Sequence, residues 1–152
     1  MIRPSSDAIV QEVEYPHPIE SVWRALTDSG AMAEWAFANG GIADGFAPVV
    51  GTRFTFTDPR AQGWSGKVDC EVLEVDPPRR LSYAWRGDGL DTVVTFVLQR
   101  TPTGTRLRLE HTGFDKSGES GQRGRESLDQ GWGQHILQGS LRRVIEDLAV
   151  RH

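Results

Sequence analysis

Cysteine is almost missing from this chain of 152 residues: Cys70 stands alone, which excludes an intrachain disulfide and a thiolate metal cluster. An excess of basic residues is missing too. The formal net charge is −4 with no Lys/Arg stripe, which argues against nucleic acid and anionic membrane as partners. No apolar run approaches the length of a bilayer span, and Met1 to Asp7 has no signal core, so a soluble cytoplasmic protein is expected. Metal motifs are lacking as well: there is no His-Glu-x-x-His, no cysteine pair and no carboxylate cluster. Gly118-Glu119-Ser120-Gly121 has no strand-turn-helix around it, so it is neither a dinucleotide fingerprint nor a phosphate loop. Ser120 lacks a nucleophile elbow and Ser140 falls inside a helical stretch, which leaves a serine hydrolase unsupported. Neither a metal nor a cofactor is expected.

What is present is one domain's worth of alternating and helical patterns. A chain of this length buries about 70% of its extended surface, and residues 1–152 are expected to form a single domain. Ile9, Val13 and Tyr15 alternate against Val10, Glu12 and Glu14 in a half-buried strand that Pro16-His17-Pro18 stops. Ile19, Val22, Trp23 and Leu26 then follow at helical spacing behind Pro18, and Asp28 or Ser29 is placed to cap a second short helix through Met32 and Glu34. Phe46 to Val50 is expected as a weak strand that Pro48 confines to an edge.

From Thr52 onward strands follow one another closely. Phe54 and Phe56 share one side of the first. The long strand from Trp64 to Val75 loses its alternation at Val72, Leu73 and Val75, which suggests a β-bulge, and Asp76-Pro77-Pro78 ends it. Cys70 lies on the side of Val68 and Val72, as a buried thiol would. Leu81, Tyr83 and Trp85 share a side, Gly87-Asp88-Gly89 turns the chain, and Val94, Phe96 and Leu98 share a side of the next strand. In the last strand, Thr105 to Thr112, Leu107, Leu109 and His111 face away from Arg106, Arg108 and Glu110. Connections this short favour an antiparallel meander.

The apolar face of that meander needs a cover, and only Leu128 to Leu148 is long enough. At 100° per residue, Leu128, Trp132 and Ile136 lie roughly opposite Leu137, Leu141, Val144 and Leu148 on an α-helix. The helix is therefore embraced over a wide arc or bent near Gly139-Ser140. Gly131 and Gly133 flank Trp132 at a cost of about 1 kcal/mol each in helix propensity. Between strand and helix, Asp115 to Ser127 is polar and Gly-rich, a loop at the mouth where Arg123 and Arg125 could attract an anionic head; Arg142 and Arg143 read as solvated helix charges. The fold class is α+β, a curved antiparallel sheet wrapped around a long carboxy-terminal helix with two short helices after the first strand.

Pro18 to Asp28, Ala33-Glu34-Trp35, Val72 to Trp85 with its Asp-Pro-Pro-Arg-Arg-Leu segment, Val94-Thr95-Phe96, His111-Thr112-Gly113-Phe114 and Gly131-Trp132 occur in an order that resembles the SRPBCC, or START-like, superfamily. More narrowly they resemble homologues of the activator of the heat-shock protein 90 ATPase. The resemblance implies a helix-grip fold with a mostly apolar cavity between sheet and helix. The residues then expected to line it are Trp35, Phe37, Trp64, Tyr83, Trp85, Phe96, Leu109, His111, Phe114, Trp132, His135 and Ile136. Such a lining suits a small flat, lipid-like or amphipathic ligand; core filling is the more ordinary role of any one of these aromatics, and it is the set that points to a cavity. His111 and His135 are its polar exceptions, and the resemblance to START-like cyclases implies an alternative: a cofactor-independent cyclase, dehydratase or hydrolase with these histidines as general acid or base. A further alternative is a protein-interaction module partnering a chaperone. The sequence leaves the oligomeric state open.

Overall fold

Runs of alternating apolar residues broken by turn chemistry produce one seven-stranded antiparallel sheet in the computed structural model, which describes residues 8–36, 42–61, 65–114, 124–126, 128–129 and 131–150. The strands are β1 (Ala8–Tyr15), β2 (Ile42–Asp44), β3 (Arg53–Thr57), β4 (Lys67–Asp76), β5 (Arg80–Gly87), β6 (Leu90–Thr101) and β7 (Gly104–Thr112). Their order in the sheet is β1-β7-β6-β5-β4-β3-β2, so every consecutive pair from β2 to β7 is a neighbour and only β1 crosses to the far edge. That crossing is made by α1 (Ile19–Thr27) and α2 (Ser29–Trp35), whose junction is set by Asp28: its carboxylate accepts from the Ala31 N–H at 2.9 Å and caps α2.

Turn residues decide where the meander folds back. Asp88 and Gly89 both take positive φ, 50° and 85°, the conformation a two-residue hairpin between β5 and β6 requires. Gly104 opens β7 where a side chain would collide with the backbone of Tyr15, so glycine lets the β6–β7 hairpin lie against the end of β1. In β4 the register shifts between Val72 and Glu74, the bulge expected from the broken alternation, and Leu73 is left exposed there. One expectation fails. Residues 46–50 form no strand; the edge strand is Ile42–Asp44 instead. Pro48 offers no ladder donor, Val49 and Val50 are exposed, and the loop is tied to β4 through Gly51 N–H to Val72 O and Val72 N–H to Thr52 O.

The two faces of the sheet differ as the alternation predicts. Outside, Arg106 pairs with Glu14 at 2.9 Å and Arg108 with Glu110 at 2.9 Å and Glu12 at 3.4 Å, all between exposed or half-exposed groups. Inside, Phe54, Phe56, Val72, Leu81, Tyr83, Val94, Phe96, Leu107 and Leu109 are buried. The carboxy-terminal segment covers that face, but not as one α-helix. Gly131–Ser140 is a π-helix, and α3 (Leu141–Val150) continues from it as an α-helix. The change comes at Ser140, where a bend was expected. With i→i+5 bonds, residues four and five apart stack, so Trp132, Ile136, Leu137 and Leu141 are all buried although an α-helix would spread them around its girth. Among the described residues no helix is long and apolar enough to cross a membrane.

Candidate functional site

Trp132 is the centre of the space between sheet and π-helix. Its ring centroid lies 5.6 Å from Trp85, 5.9 Å from Phe96, 6.4 Å from Trp35 and 6.2 Å from the imidazole of His111. These are the tilted and edge-on separations that aromatic quadrupoles favour. Trp35 arrives from α2 and is held by its indole N–H, which donates to Ala25 O at 2.7 Å, while Ser140 Oγ donates to Trp35 O at 2.7 Å. The π-helix is pinned from the other side by Tyr15, whose hydroxyl donates to Leu137 O at 2.7 Å. Burial pushes that hydroxyl's pKa up, so it stays a donor.

His111 sits in this wall with no exposed surface and a complete set of hydrogen bonds. Trp132 Nε1–H can only donate, so His111 Nδ1, 3.1 Å away, accepts and carries no proton. The ring proton is then on Nε2, which donates to Thr92 Oγ1 at 2.7 Å, and the Thr92 hydroxyl in turn donates to Trp85 O at 2.9 Å. The register places these groups together: Thr92 pairs with Trp85 across β5–β6, and Val94 with His111 across β6–β7. Burial lowers the imidazole pKa to about 3, since its charged form would lose water without gaining a counter-charge. This chain of four groups fixes the tautomer and the orientation of both rings. A proton transfer at Nδ1 would first have to break the bond to Trp132.

Tyr83 presents the opposite case on the same face. Its ring is fully buried, 5.1 Å from Phe54, 6.2 Å from Phe56 and 6.0 Å from Phe96, and its hydroxyl has no hydrogen-bond partner among the described residues. Burial raises its pKa well above the usual phenol value, and the neighbouring Cys70 thiol adds to the effect. Cys70 is itself buried and pushed up by the same desolvation, so it is a neutral, inert thiol.

Of the residues expected to line a cavity, the structure gathers Trp35, Tyr83, Trp85, Phe96, Leu109, His111, Phe114, Trp132 and Ile136 into this buried wall. Phe37 and Trp64 lie outside the described residues, as does the side chain of His135, whose backbone belongs to the π-helix. Thr92, Phe54 and Phe56 belong to the wall and were not anticipated in it. The signal was available: Thr92 is in phase with Val94 and Phe96, and Phe54 and Phe56 alternate inward. Arg125, expected at the mouth, donates to Ala8 O at 3.1 Å, and Arg142 stacks 4.9 Å from the Tyr15 ring and donates to Glu14 O at 3.3 Å; both cover the open edge of β1. Among the described residues no three His, Cys, Asp or Glu side chains come together as a metal site.

Residues 16–146 match the model of a family described as activator of Hsp90 ATPase homolog 1-like protein. Protein MLL2253 from Mesorhizobium loti is 36% identical over 95% of this chain and 97% of its own, with a TM-score of 0.72. DynU16, a protein of the dynemicin biosynthetic locus, is 25% identical with a TM-score of 0.73; 94% of this chain aligns to 48% of that one. PFC0360w, an HSP90 activator from Plasmodium falciparum, shares the fold at 23% identity and a TM-score of 0.67, over 87% of this chain and 91% of its own. No curated protein matches.

Proposed function

The chain belongs to the activator of Hsp90 ATPase homolog 1-like family, and from that premise we propose that it is a binding protein for a small apolar or amphipathic molecule held between the concave sheet face and the π-helix. The observation that carries this reading is the π-helix itself. Ten residues of i→i+5 coil stand opposite an aromatic wall, where an α-helix would be the ordinary cover. Such coils are rare and are frequent at functional sites. The segment is pinned to its surroundings by Tyr15 on Leu137 O, Ser140 on Trp35 O and Trp132 on His111 Nδ1. The wall of Trp35, Tyr83, Trp85, Phe96 and Trp132 supplies a flat apolar contact surface of the kind small-molecule sites use, and DynU16, similar to this chain, belongs to the dynemicin biosynthetic locus.

The test is a thermal-shift screen of flat aromatic and long-chain amphipathic compounds, paired with native mass spectrometry of the freshly purified protein. A ligand at one hundred times its Kd stabilises by about 2.7 kcal/mol, a clear rise in Tm. A ligand-free mass together with no shift across the screen rejects the reading.

A second reading, a module that partners a chaperone, is favoured by the family and by the description of PFC0360w. Titration against the chaperone's middle domain decides it, and absence of saturable binding removes it. A catalytic role for His111 and His135 ranks behind both, since the His111 nitrogens are already engaged. Replacing both histidines by Gln without loss of any turnover found would end that role.

A further inference from the structure

We propose that the Tyr83 hydroxyl is the hydrogen-bond anchor of the ligand site, and that the ligand it selects is an uncharged aromatic molecule carrying one acceptor, such as a carbonyl oxygen. This rests on the binding reading above and specifies its ligand. The first support is geometric. Tyr83 projects from the middle of β5 between Val72 of β4 and Val94 of β6, and its ring is enclosed by Phe54, Phe56 and Phe96, none of which offers an acceptor. A phenylalanine would fill the same space. The hydroxyl therefore adds a polar atom that the packing does not need and that no group among the described residues satisfies.

The second support is the contrast with the other side-chain nitrogen and oxygen groups described on this wall. Thr92, His111 and Trp132 bond one another and Trp85 O, the Trp35 indole bonds Ala25 O, and Tyr15 bonds Leu137 O. Tyr83 is the exception. Because desolvation keeps the phenol protonated, its O–H remains a donor at any working pH, and the complement that uses this stronger capacity is an acceptor.

The third support sets the charge. No Asp, Glu, Lys or Arg is buried among the described residues, and His111 is held neutral. An anionic head lodged beside Tyr83 would lose its hydration without meeting a cation. A neutral acceptor loses far less and gains the phenol's hydrogen bond.

Naphthalene, its methyl ketone and its carboxylate test this as a matched series, with Kd read from quenching of tryptophan fluorescence in the intact chain and in Tyr83→Phe. The ketone is expected to bind the natural protein at least about fivefold more tightly than the hydrocarbon, with the carboxylate weakest, and Tyr83→Phe to erase the ketone's advantage while leaving naphthalene binding in place. The same substitution is expected to raise Tm in the absence of ligand, because it removes an unsatisfied hydroxyl. A ketone preference that survives in Tyr83→Phe, or a carboxylate that binds best, overturns the anchor while the binding reading stands. Binding of none of the three overturns both. Should Tyr83→Phe fail to fold, ring-labelled tyrosine decides: the chain has two tyrosines, and the ketone is expected to move the Tyr83 resonance and leave Tyr15 as reference. A Tyr83 signal indifferent to saturating ketone refutes the proposal.

Discussion

The two ends of the concave wall bury polar side chains equally deeply and treat them in opposite ways. At the β6–β7 end, His111 is locked between Trp132 and Thr92, with each donor matched to an acceptor. At the β4–β5 end, Tyr83 keeps an unmatched hydroxyl among phenylalanine rings. Burial alone thus does not tell a structural polar group from a functional one. The hydrogen-bond account does: a satisfied network fixes one packing, whereas an unsatisfied group weakens the empty protein and is retained at a cost that a partner can offset.

Five substitutions would break or sharpen this contrast. The largest effect is expected from Trp132→Ala, which removes the central ring and leaves Nδ1 of His111 unpartnered; a loss of about 3–5 kcal/mol in urea unfolding is expected. Next comes His111→Phe, which strands the Trp132 N–H, leaves the Thr92 hydroxyl only its bond to Trp85 O and should cost about 2–4 kcal/mol, whereas His111→Gln can accept from Trp132 and donate to Thr92 and should recover much of that loss. The pH dependence separates the same pair. The folded imidazole titrates near 3 and the unfolded one near 6.5, so between those values the unfolded chain binds more protons. The stability tied to neutral His111 is therefore complete above about pH 6.5 and lost as pH falls toward about 3. Urea midpoints across that window should fall less steeply for His111→Gln than for the natural protein.

A smaller effect is expected from Tyr15→Phe, which frees Leu137 O while keeping the ring against Arg142 and should cost about 1–2 kcal/mol, seen as faster amide exchange in the π-helix before any change elsewhere. Smallest, and opposite in sign, is Tyr83→Phe, with a gain of up to about 1 kcal/mol. A loss there as large as that of His111→Phe would mean that the two ends are alike, and the contrast would fall.

Much of the sheet was readable because alternation with a buried face leaves little choice of register. Leu81, Tyr83 and Trp85 face inward because a slip by one residue would bury Arg80 and Arg86 instead. The bulge at Val72 to Glu74 and the Asp28 cap were visible for the same local reason. The edge was harder. Residues 46–50 look strand-like in composition, yet a three-residue pairing at Ile42–Asp44 takes the place beside β3, a choice between weak segments that local pattern does not make. The Thr92 partnership also escaped, because a threonine in phase with valines gives no sign of a histidine nineteen residues away until the strands are paired.

The carboxy-terminal segment divides the matter most clearly. The order of residues alone determined which positions are apolar, that the segment is helical and that it covers the sheet, and it left open whether the helix is embraced over a wide arc or bent near Gly139-Ser140. It could not decide between i→i+4 and i→i+5 bonding, because both use the same backbone groups of the same segment and differ little in local propensity. That choice was made by what the segment meets: an aromatic wall on which Trp132, Ile136, Leu137 and Leu141 are all buried, and Tyr15 and Ser140 bonds that hold the wider coil in place. An α-helix would turn part of that set toward solvent, and the burial of the whole set is a property of the packed fold rather than of the segment.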